Sequence, residues 1–401
     1  MKAAPLDRPP LDDLIDFDSS SDIESLALRV PARWVVYLFA DKQDRAIQLL
    51  CVKNLRASLR RRLGPESDVE PSKRVDYRQL VRRVYWTRVD SEFEADLLYL
   101  RTVRELFPAG YAKLVALRPA WFVEVDCDAR FPRYSRTDAP GSTSGEVFGP
   151  LEDKATATRL IERLEDWFDL CRYHNILQQA PHGKACAYKE MGRCPAPCDG
   201  SVSMEQYRQL VRLSAKTLAD PDDYIRAQQA RMQQAASSLQ FEAAGRIKAY
   251  IASLSQLTTP VFRNIRRFED LRFVTLQHGP SRRAAKVFLV TPTEVRPIAC
   301  LLDKPSPGSG IVQAALAAAS RVEAFDIGAR ETFGIVARHL FAEKQAGIWI
   351  PIDKLDESSL AKAYGEIRKD KSPDVAAGQS ADDDASGDEG IVREIQPFVQ
   401  I

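Results

Sequence analysis

The sequence predicts a multidomain α+β protein. Strand-like and helix-like runs alternate between residues 31 and 115, and three of the seven cysteines crowd into the thirteen residues Cys186–Cys198. Two amphipathic helical stripes then follow one another between residues 225 and 257. A chain of 401 residues has room for about two to four domains.

These patterns divide the chain into seven parts. In order they are a disordered amino-terminal segment (1–30), an α/β domain (31–115), a connector (116–170), a four-cysteine segment (171–200), a helical region (201–258), a carboxyl-terminal α+β domain (261–368) and an acidic flexible tail (369–401).

Composition and charge argue against a secreted or membrane-bound protein. The 57 Lys and Arg residues balance 56 Asp and Glu residues, so the chain is not a uniform polycation, although basic residues cluster locally. The first 25 residues lack the apolar core of a secretory signal, and no apolar window is long enough to span a bilayer. We therefore expect a cytoplasmic protein with no membrane partner, in which disulfides would not persist.

The α/β domain opens with two strands and a basic helix. RWVVYLFA and AIQLLCV are β-branched, apolar runs separated by the polar turn DKQDR. KNLRASLRRRLG is then typical of a basic helix, and SEFEADLLYLRTVRELF of a later amphipathic helix.

Four cysteines show the spacing C-x14-C-x7-C-x3-C, which is Cys171, Cys186, Cys194 and Cys198. Thiolates grouped in this way can hold zinc or an iron–sulfur cluster. Only Cys194 and Cys198 have the close spacing of a zinc ribbon, and His174 and His182 are further possible ligands. The alternative is a set of buried, inert thiols. Cys51, Cys127 and Cys300 stand alone.

The cysteine segment resembles a known family. FGP at 148–150, followed by LEDWFDLCRYHNILQQAPHGKACAYKEMGRCPAPCDG, is similar to the cysteine-rich part of the C component of the excinuclease ABC system, the dual-incision protein of bacterial nucleotide excision repair. The resemblance implies a [4Fe–4S] cluster held by the four cysteines, with zinc as the alternative.

The helical region ends in a predicted hairpin, with Ser237 and Ser238 between its two helices. Such a hairpin can pack on itself or accept a matching one from a partner. Its LQFEAAGRIK core resembles the motif with which the C component docks to the excinuclease B component, although Lys248 and Ala249 replace the usual Arg and Asp. The resemblance implies these partner-binding residues: Met232, Leu239, Phe241, Glu242, Ala244 and Ile247.

The amino-terminal domain resembles the GIY-YIG nuclease module of the same family, with VYLF and KNLR as landmarks. Such an enzyme cuts a phosphodiester with a tyrosine, an arginine and a glutamate that holds one divalent metal. Tyr37 matches the first tyrosine. At the other positions the sequence carries Gln48 for tyrosine, Leu50 for glycine, Ser58 for arginine, Tyr99 for the metal-binding glutamate and Tyr111 for asparagine. These departures predict a pseudonuclease.

A rival interpretation keeps the nuclease active through displaced residues. Glu92, Glu94 or Asp96 would then hold Mg²⁺, and Arg56 or Arg60 would supply the positive charge. A slip of one position turns a helical side chain by about 100°, so this rescue needs a different geometry. A third hypothesis is a regulatory protein whose cluster senses oxidants without touching DNA.

The basic helix is a candidate DNA-binding surface. Basic side chains pair with phosphates and aromatic faces stack on unpaired bases. The candidates are Lys53, Arg56, Arg60, Arg61 and Arg62, with Tyr77, Tyr85 and Trp86 interleaved among later basic residues. The alternative is a solvated charged face whose aromatic residues point into the core.

The carboxyl-terminal domain has the pattern of strand, turn, strand, strand and then helices, with Gly279 and Pro280 in the turn. We expect His339 to be a packing histidine, and we expect no room for the family's RNase H-like nuclease. The closing IVREIQPFVQI is apolar enough to dock back on the body. Together the motifs predict a relative of the excinuclease C component that binds DNA or the B component without cutting, or, in the rival interpretation, a structure-specific endonuclease.

Overall fold

The computed structural model describes residues 8–64, 76–115, 118–140, 145–302, 309–319, 325–342, 345–369 and 391–394. These residues form three antiparallel sheets with helices packed on them, which confirms the α+β class. None of the described helices is both long and apolar enough to cross a lipid bilayer.

The amino-terminal domain is a sheet covered on both faces. Its elements are β1 (Asp13–Asp16), α1 (Ile23–Leu28), β2 (Val35–Ala40), β3 (Ala46–Val52), α2 (Leu55–Leu63), α3 (Tyr77–Leu80), β4 (Arg83–Arg88) and α4 (Glu92–Leu106). The helices α1 and α2 cover one face, and α4 covers the other. Every residue of β2 and β3 is therefore buried, which explains why both strands are continuous apolar runs.

The predicted strands and helices of this domain are confirmed, but the disorder assigned to residues 1–30 is wrong for part of that range. β1 pairs with β4, and the Asp22 side chain caps α1 by accepting from two backbone amides. Ile15, Phe17 and Leu26 lie in the core. These few apolar side chains anchor a segment whose average composition is polar.

The predicted connector is a folded layer of its own. The middle part contains β5 (Trp121–Val125), β6 (Tyr134–Thr137), β7 (Glu146–Leu151), α5 (Lys154–Trp167), α6 (His174–Leu177), α7 (Ala187–Glu190), α8 (Met204–Ala219), α9 (Pro221–Ser237), α10 (Phe241–Leu254) and β8 (Arg266–Arg267). The sheet order is β6-β5-β7-β8. One core joins this sheet to α5, α8 and the cysteine loop.

The carboxyl-terminal domain has the predicted three strands followed by helices, and it adds a fourth strand, β12, that was not predicted. It contains β9 (Phe273–His278), β10 (Ala285–Val290), β11 (Val295–Leu301), α11 (Ser309–Ala319), α12 (Ile327–Leu340), β12 (Ile348–Pro351) and α13 (Glu357–Ile367). The sheet order is β11-β10-β9-β12. α11 and α13 pack on one face, while α12 and the amino-terminal α4 pack on the other.

The final described strand returns to the first domain. β13 (Ile391–Glu394) pairs antiparallel with β3, with residue 391 opposite Val52. The expected docking of the closing segment is thus confirmed for residues 391–394. The remainder of the predicted tail, 370–390 and 395–401, lies outside the described residues.

Candidate functional site

Three of the nuclease-like positions come together beneath α2. The Tyr37 hydroxyl on β2 lies 2.7 Å from the Ser58 hydroxyl on α2. Gln48 on β3 accepts a hydrogen bond of 3.1 Å from Arg62. Tyr37, Gln48 and Ser58 are all completely buried. Where the family resemblance implies a catalytic centre, the chain therefore has a closed polar cluster inside the core.

The other two nuclease-like positions lie elsewhere. Tyr99 on α4 is buried in the core that packs against the opposite face of the sheet. Tyr111 follows α4, and its ring lies 5.7 Å from the Arg104 guanidinium. Burial and a hydrogen bond with Glu331 raise the pKa of Tyr111. The structure does not bring Tyr99 or Tyr111 to Tyr37 and Ser58.

The carboxylates of the rival interpretation are paired with basic side chains of the carboxyl-terminal domain. Glu94 lies 2.5 Å from the Lys286 ammonium, and Asp96 lies 2.9 Å from His339. The third carboxylate, Glu92, pairs with Arg338. Burial raises the pKa of Glu94, although the charge of Lys286 opposes this effect. These side chains join two domains, and His339 is confirmed as a packing histidine.

The basic helix α2 uses several of its cations to brace its own domain. The Arg56 Nε donates to the Val30 carbonyl at 2.9 Å, and the Arg60 Nε lies 2.9 Å from Glu24. Arg62 is held by Gln48 as described, and the Lys53 ammonium lies 5.1 Å from the centre of the Trp34 ring. Arg61 is the exposed member of the set. Tyr85 and Trp86 point into the core, as the alternative interpretation expected.

The four cysteines lie in one neighbourhood next to the middle-domain core. Cys171, Cys194 and Cys198 are buried and Cys186 is half-buried. A hydrogen bond between Cys171 and Cys194 lowers the pKa of Cys194 and, with burial, raises that of Cys171. Cys186 and Cys194 both act electrostatically on Cys198, whose pKa is raised chiefly by burial.

The four thiols of this loop form no disulfide. Their chemistry therefore fits an iron–sulfur or zinc centre. In the described parts of the chain, however, no three His, Cys, Asp or Glu side chains are arranged so that they could hold a metal ion. The identity of the group stays a prediction.

The helical hairpin is anchored at its base and exposed at its tip. Tyr250 donates a 2.9 Å hydrogen bond to the Trp167 carbonyl, and the Tyr224 ring packs against Phe168. At the tip, Leu239 is 75% exposed and Phe241 is 68% exposed. Met232, Ala244 and Ile247 are half-buried along the two helices, and Glu242 is exposed.

Two family matches cover the middle of the chain. Residues 120–217 match the middle domain of the UvrC/Cho excinucleases, and residues 222–257 match the UvrB/uvrC motif. Residues 120–257 are thus similar to two parts of the UvrC family, the C component of the excinuclease ABC system. The second match contains every residue that the sequence predicts to bind a partner, while residues 31–115 lie outside both matches.

Relatives named UvrABC system protein C agree with this assignment. That of Nautilia profundicola is 28% identical over 185 residues, which are 46% of this chain and 29% of the relative. That of Trichlorobacter lovleyi is 26% identical over 212 residues, 53% of this chain and 35% of the relative. That of Caldicellulosiruptor saccharolyticus is 27% identical over 239 residues, 59% of this chain and 40% of the relative. The chain thus spans well under half the length of these relatives, and no solved structure matches it significantly.

Sequence reasoning missed one surface of this UvrC-like chain. Burial lowers the pKa of His174, and the charge of Arg133, in the loop after β5, lowers it further. Tyr173, directly before His174, is exposed. The one sequence feature that could have indicated this surface is the occurrence of basic and aromatic residues between the cysteines.

Proposed function

We propose that the chain is a non-cutting accessory in nucleotide excision repair, which docks on UvrB, the excinuclease B component, through the α9–α10 hairpin and binds DNA. The observation that carries this proposal is the exposed apolar tip, Leu239 and Phe241, inside a UvrB/uvrC motif. Apolar side chains in solvent at the end of an anchored hairpin favour association, because a partner hairpin would remove them from water.

The loss of cutting is supported by the cluster beneath α2. A nuclease must bring a phosphate and a metal ion to its catalytic groups. The Tyr37 hydroxyl is instead fully buried and hydrogen-bonded to Ser58. Glu94, Asp96 and Glu92 of α4 are held by Lys286, His339 and Arg338, respectively. Tyr37 thus packs on one face of the sheet, and α4 packs on the other.

The cysteine loop would hold a [4Fe–4S] cluster through Cys171, Cys186, Cys194 and Cys198, with zinc as the alternative. The support is the chemistry of four thiols within one loop and the burial of three of them. A cluster there would cross-link an irregular segment to the middle-domain core. Anaerobic purification, visible absorption and an iron assay on the full chain distinguish iron from zinc.

Docking is tested by calorimetric titration of the full chain with UvrB. Phe241→Ala should weaken binding at least about tenfold, as for an exposed aromatic residue at the centre of an interface. Leu28→Ser is the matched control, because Leu28 is also apolar and exposed, at 63%, but lies on α1. Equal binding by wild type and Phe241→Ala, or no binding by wild type, would contradict the docking proposal.

The rival activity is tested with Mg²⁺ or Mn²⁺ on nicked, bubbled and damaged duplexes. We expect no cleavage by the wild-type chain. Metal-dependent cleavage that is abolished by Glu94→Gln would replace the accessory role with a structure-specific endonuclease.

A further inference from the structure

The cysteine loop carries a stack of side chains that ends in an exposed aromatic ring. The Arg172 guanidinium lies 4.2 Å from the centre of the Tyr188 ring. The Tyr188 ring in turn lies 5.8 Å from the Tyr173 ring. Tyr173 is 45% exposed, so part of an aromatic surface is open to solvent at the end of this stack.

The stack is held in place by the rest of the middle domain. Arg172 pairs with Asp166 at the end of α5. The backbone amide of Cys171 donates a 3.1 Å hydrogen bond to the Tyr207 hydroxyl on α8. A side chain fixed in this way loses little conformational entropy when a ligand stacks on it.

Exposed cations occur on the segments that adjoin the stack. Arg172 donates a 3.2 Å hydrogen bond to the Arg193 carbonyl, which places Arg193 beside the stack. Arg133 lies near His174, as its effect on the histidine pKa shows. Lys184 lies on the same loop, and its carbonyl is 3.9 Å from the Cys198 sulfur. Arg133, Lys184 and Arg193 form no ion pair within the described ranges.

The charge of this loop differs from that of α2. Residues 171–200 contain four basic residues and two acidic ones. One of the acids, Asp199, is already bound by Lys189 at 2.5 Å. On α2, by contrast, Arg56, Arg60 and Arg62 are bound within their own domain. The cysteine loop therefore keeps two exposed cations, Lys184 and Arg193, that form no ion pair among the described residues.

We propose that Arg133, Tyr173, Lys184 and Arg193 form a binding surface for unpaired nucleotides of DNA, in which Tyr173 stacks on a base and the three cations contact the flanking phosphates. Stacking on an aromatic side chain needs a base whose own face is uncovered, which a continuous duplex does not offer. The cations complement a phosphate backbone and steer its approach. This inference rests on the proposed function, since it names where the accessory would hold DNA.

The test is fluorescence anisotropy of a labelled oligothymidine and of a blunt duplex of equal length, titrated with the full chain. Tyr173→Ala should weaken single-strand binding about tenfold, with little change for the duplex. Tyr173→Phe keeps the ring and should restore single-strand affinity. Arg133→Gln combined with Arg193→Gln should reduce the slope of log affinity against log salt by about 0.7 for each phosphate contact removed.

Iron content and thermal unfolding of each variant show whether the loop remains intact. Arg61→Gln on α2 is the matched control, because Arg61 is exposed and basic but belongs to the other candidate surface. Unchanged single-strand binding by an intact Tyr173→Ala variant would overturn the inference, as would loss of binding in Arg61→Gln alone.

Binding of the full chain to UvrB and to oligothymidine distinguishes this inference from the docking proposal. If UvrB binds but oligothymidine does not, the nucleotide surface is wrong and the docking stands. If oligothymidine binds through Tyr173 and UvrB does not bind, the docking is wrong and the nucleotide surface stands.

Discussion

The Tyr37 hydroxyl lies 2.7 Å from that of Ser58, and neither side chain reaches solvent. Ser58→Ala leaves the buried tyrosine hydroxyl without this partner, so we expect the free energy of unfolding to fall by about 1–3 kcal/mol. The measurement is urea-induced unfolding. Ser237→Ala at the exposed end of α9 is the control, with a change below about 0.5 kcal/mol.

Ser58→Arg restores the arginine expected of the nuclease module at the same position. A guanidinium in this buried site, beneath α2 and beside Tyr37, would lose its hydration without gaining a carboxylate. We expect destabilisation of about 3 kcal/mol or more and no cleavage of DNA. Cleavage by Ser58→Arg with Mg²⁺ would show that one substitution is enough to restore activity, against the closed site with several lost catalytic groups described above.

The sequence predicted β2, β3, α2 and α4 because each is a long run with a clear apolar pattern. It could not place the acidic residues of α4. Glu94 accepts a hydrogen bond from Lys286, which is 192 residues further along the chain. No local sequence pattern predicts that contact. The family resemblance also placed Tyr99 at a catalytic position, whereas the packing of α4 directs it to the other face of the sheet.

The sheet of the middle domain was not predicted, for a related reason. β5, β6 and β7 are only four to six residues long, and their apolar side chains are interrupted by polar turns. Such strands become stable only when the sheet is assembled against α5 and α8. The hairpin and the cysteine spacing could be predicted, since both are local in sequence.

Asp96 and His339 form a buried polar contact between α4 and α12, at 2.9 Å. Asp96 also lies 3.0 Å from Arg338. Asp96→Ala leaves these partners without their buried carboxylate, and we expect it to lower the free energy of unfolding by about 3 kcal/mol. Urea-induced unfolding followed by tryptophan fluorescence gives the value.

Glu92→Ala is the control for Asp96, because Glu92 pairs with the same Arg338 at a more exposed position. Exposed ion pairs contribute less than about 1 kcal/mol. If the two alanine variants lose equal stability, the buried contact does not hold the domains together as described.

Glu165 on α5 should make stability depend on pH. Burial raises its pKa from 4.5 to about 7, although Arg172 opposes this. Between these values the folded state retains a proton that the unfolded chain releases, so the free energy of unfolding falls as the pH rises. Glu165→Gln should remove that slope and stabilise the protein above the folded-state pKa. Urea-induced unfolding across this pH range provides the test.

Glu152→Gln is the matched control for Glu165, because it removes an exposed carboxylate from the same domain. We expect this variant to keep the wild-type slope. A slope that survives in Glu165→Gln would mean that another group titrates in this range.

β13 should protect the edge of β3 from solvent. Residues 391–394 pair with Leu50, Cys51 and Val52, and thereby make β3 an internal strand. A chain that ends after residue 369 loses these hydrogen bonds, and each is worth about 1 kcal/mol. The β3 amides that point away from β2 should then exchange about fivefold faster or more, whereas those of β2, flanked by β3 and β4, should not change. An exposed edge also favours pairing between copies of the chain.

Hydrogen exchange measured by mass spectrometry tests whether the β3 amides lose protection. A chain that ends after residue 394 is the control that retains the strand. Identical exchange of residues 46–52 in all three chains would show that β13 does not occupy this edge in solution.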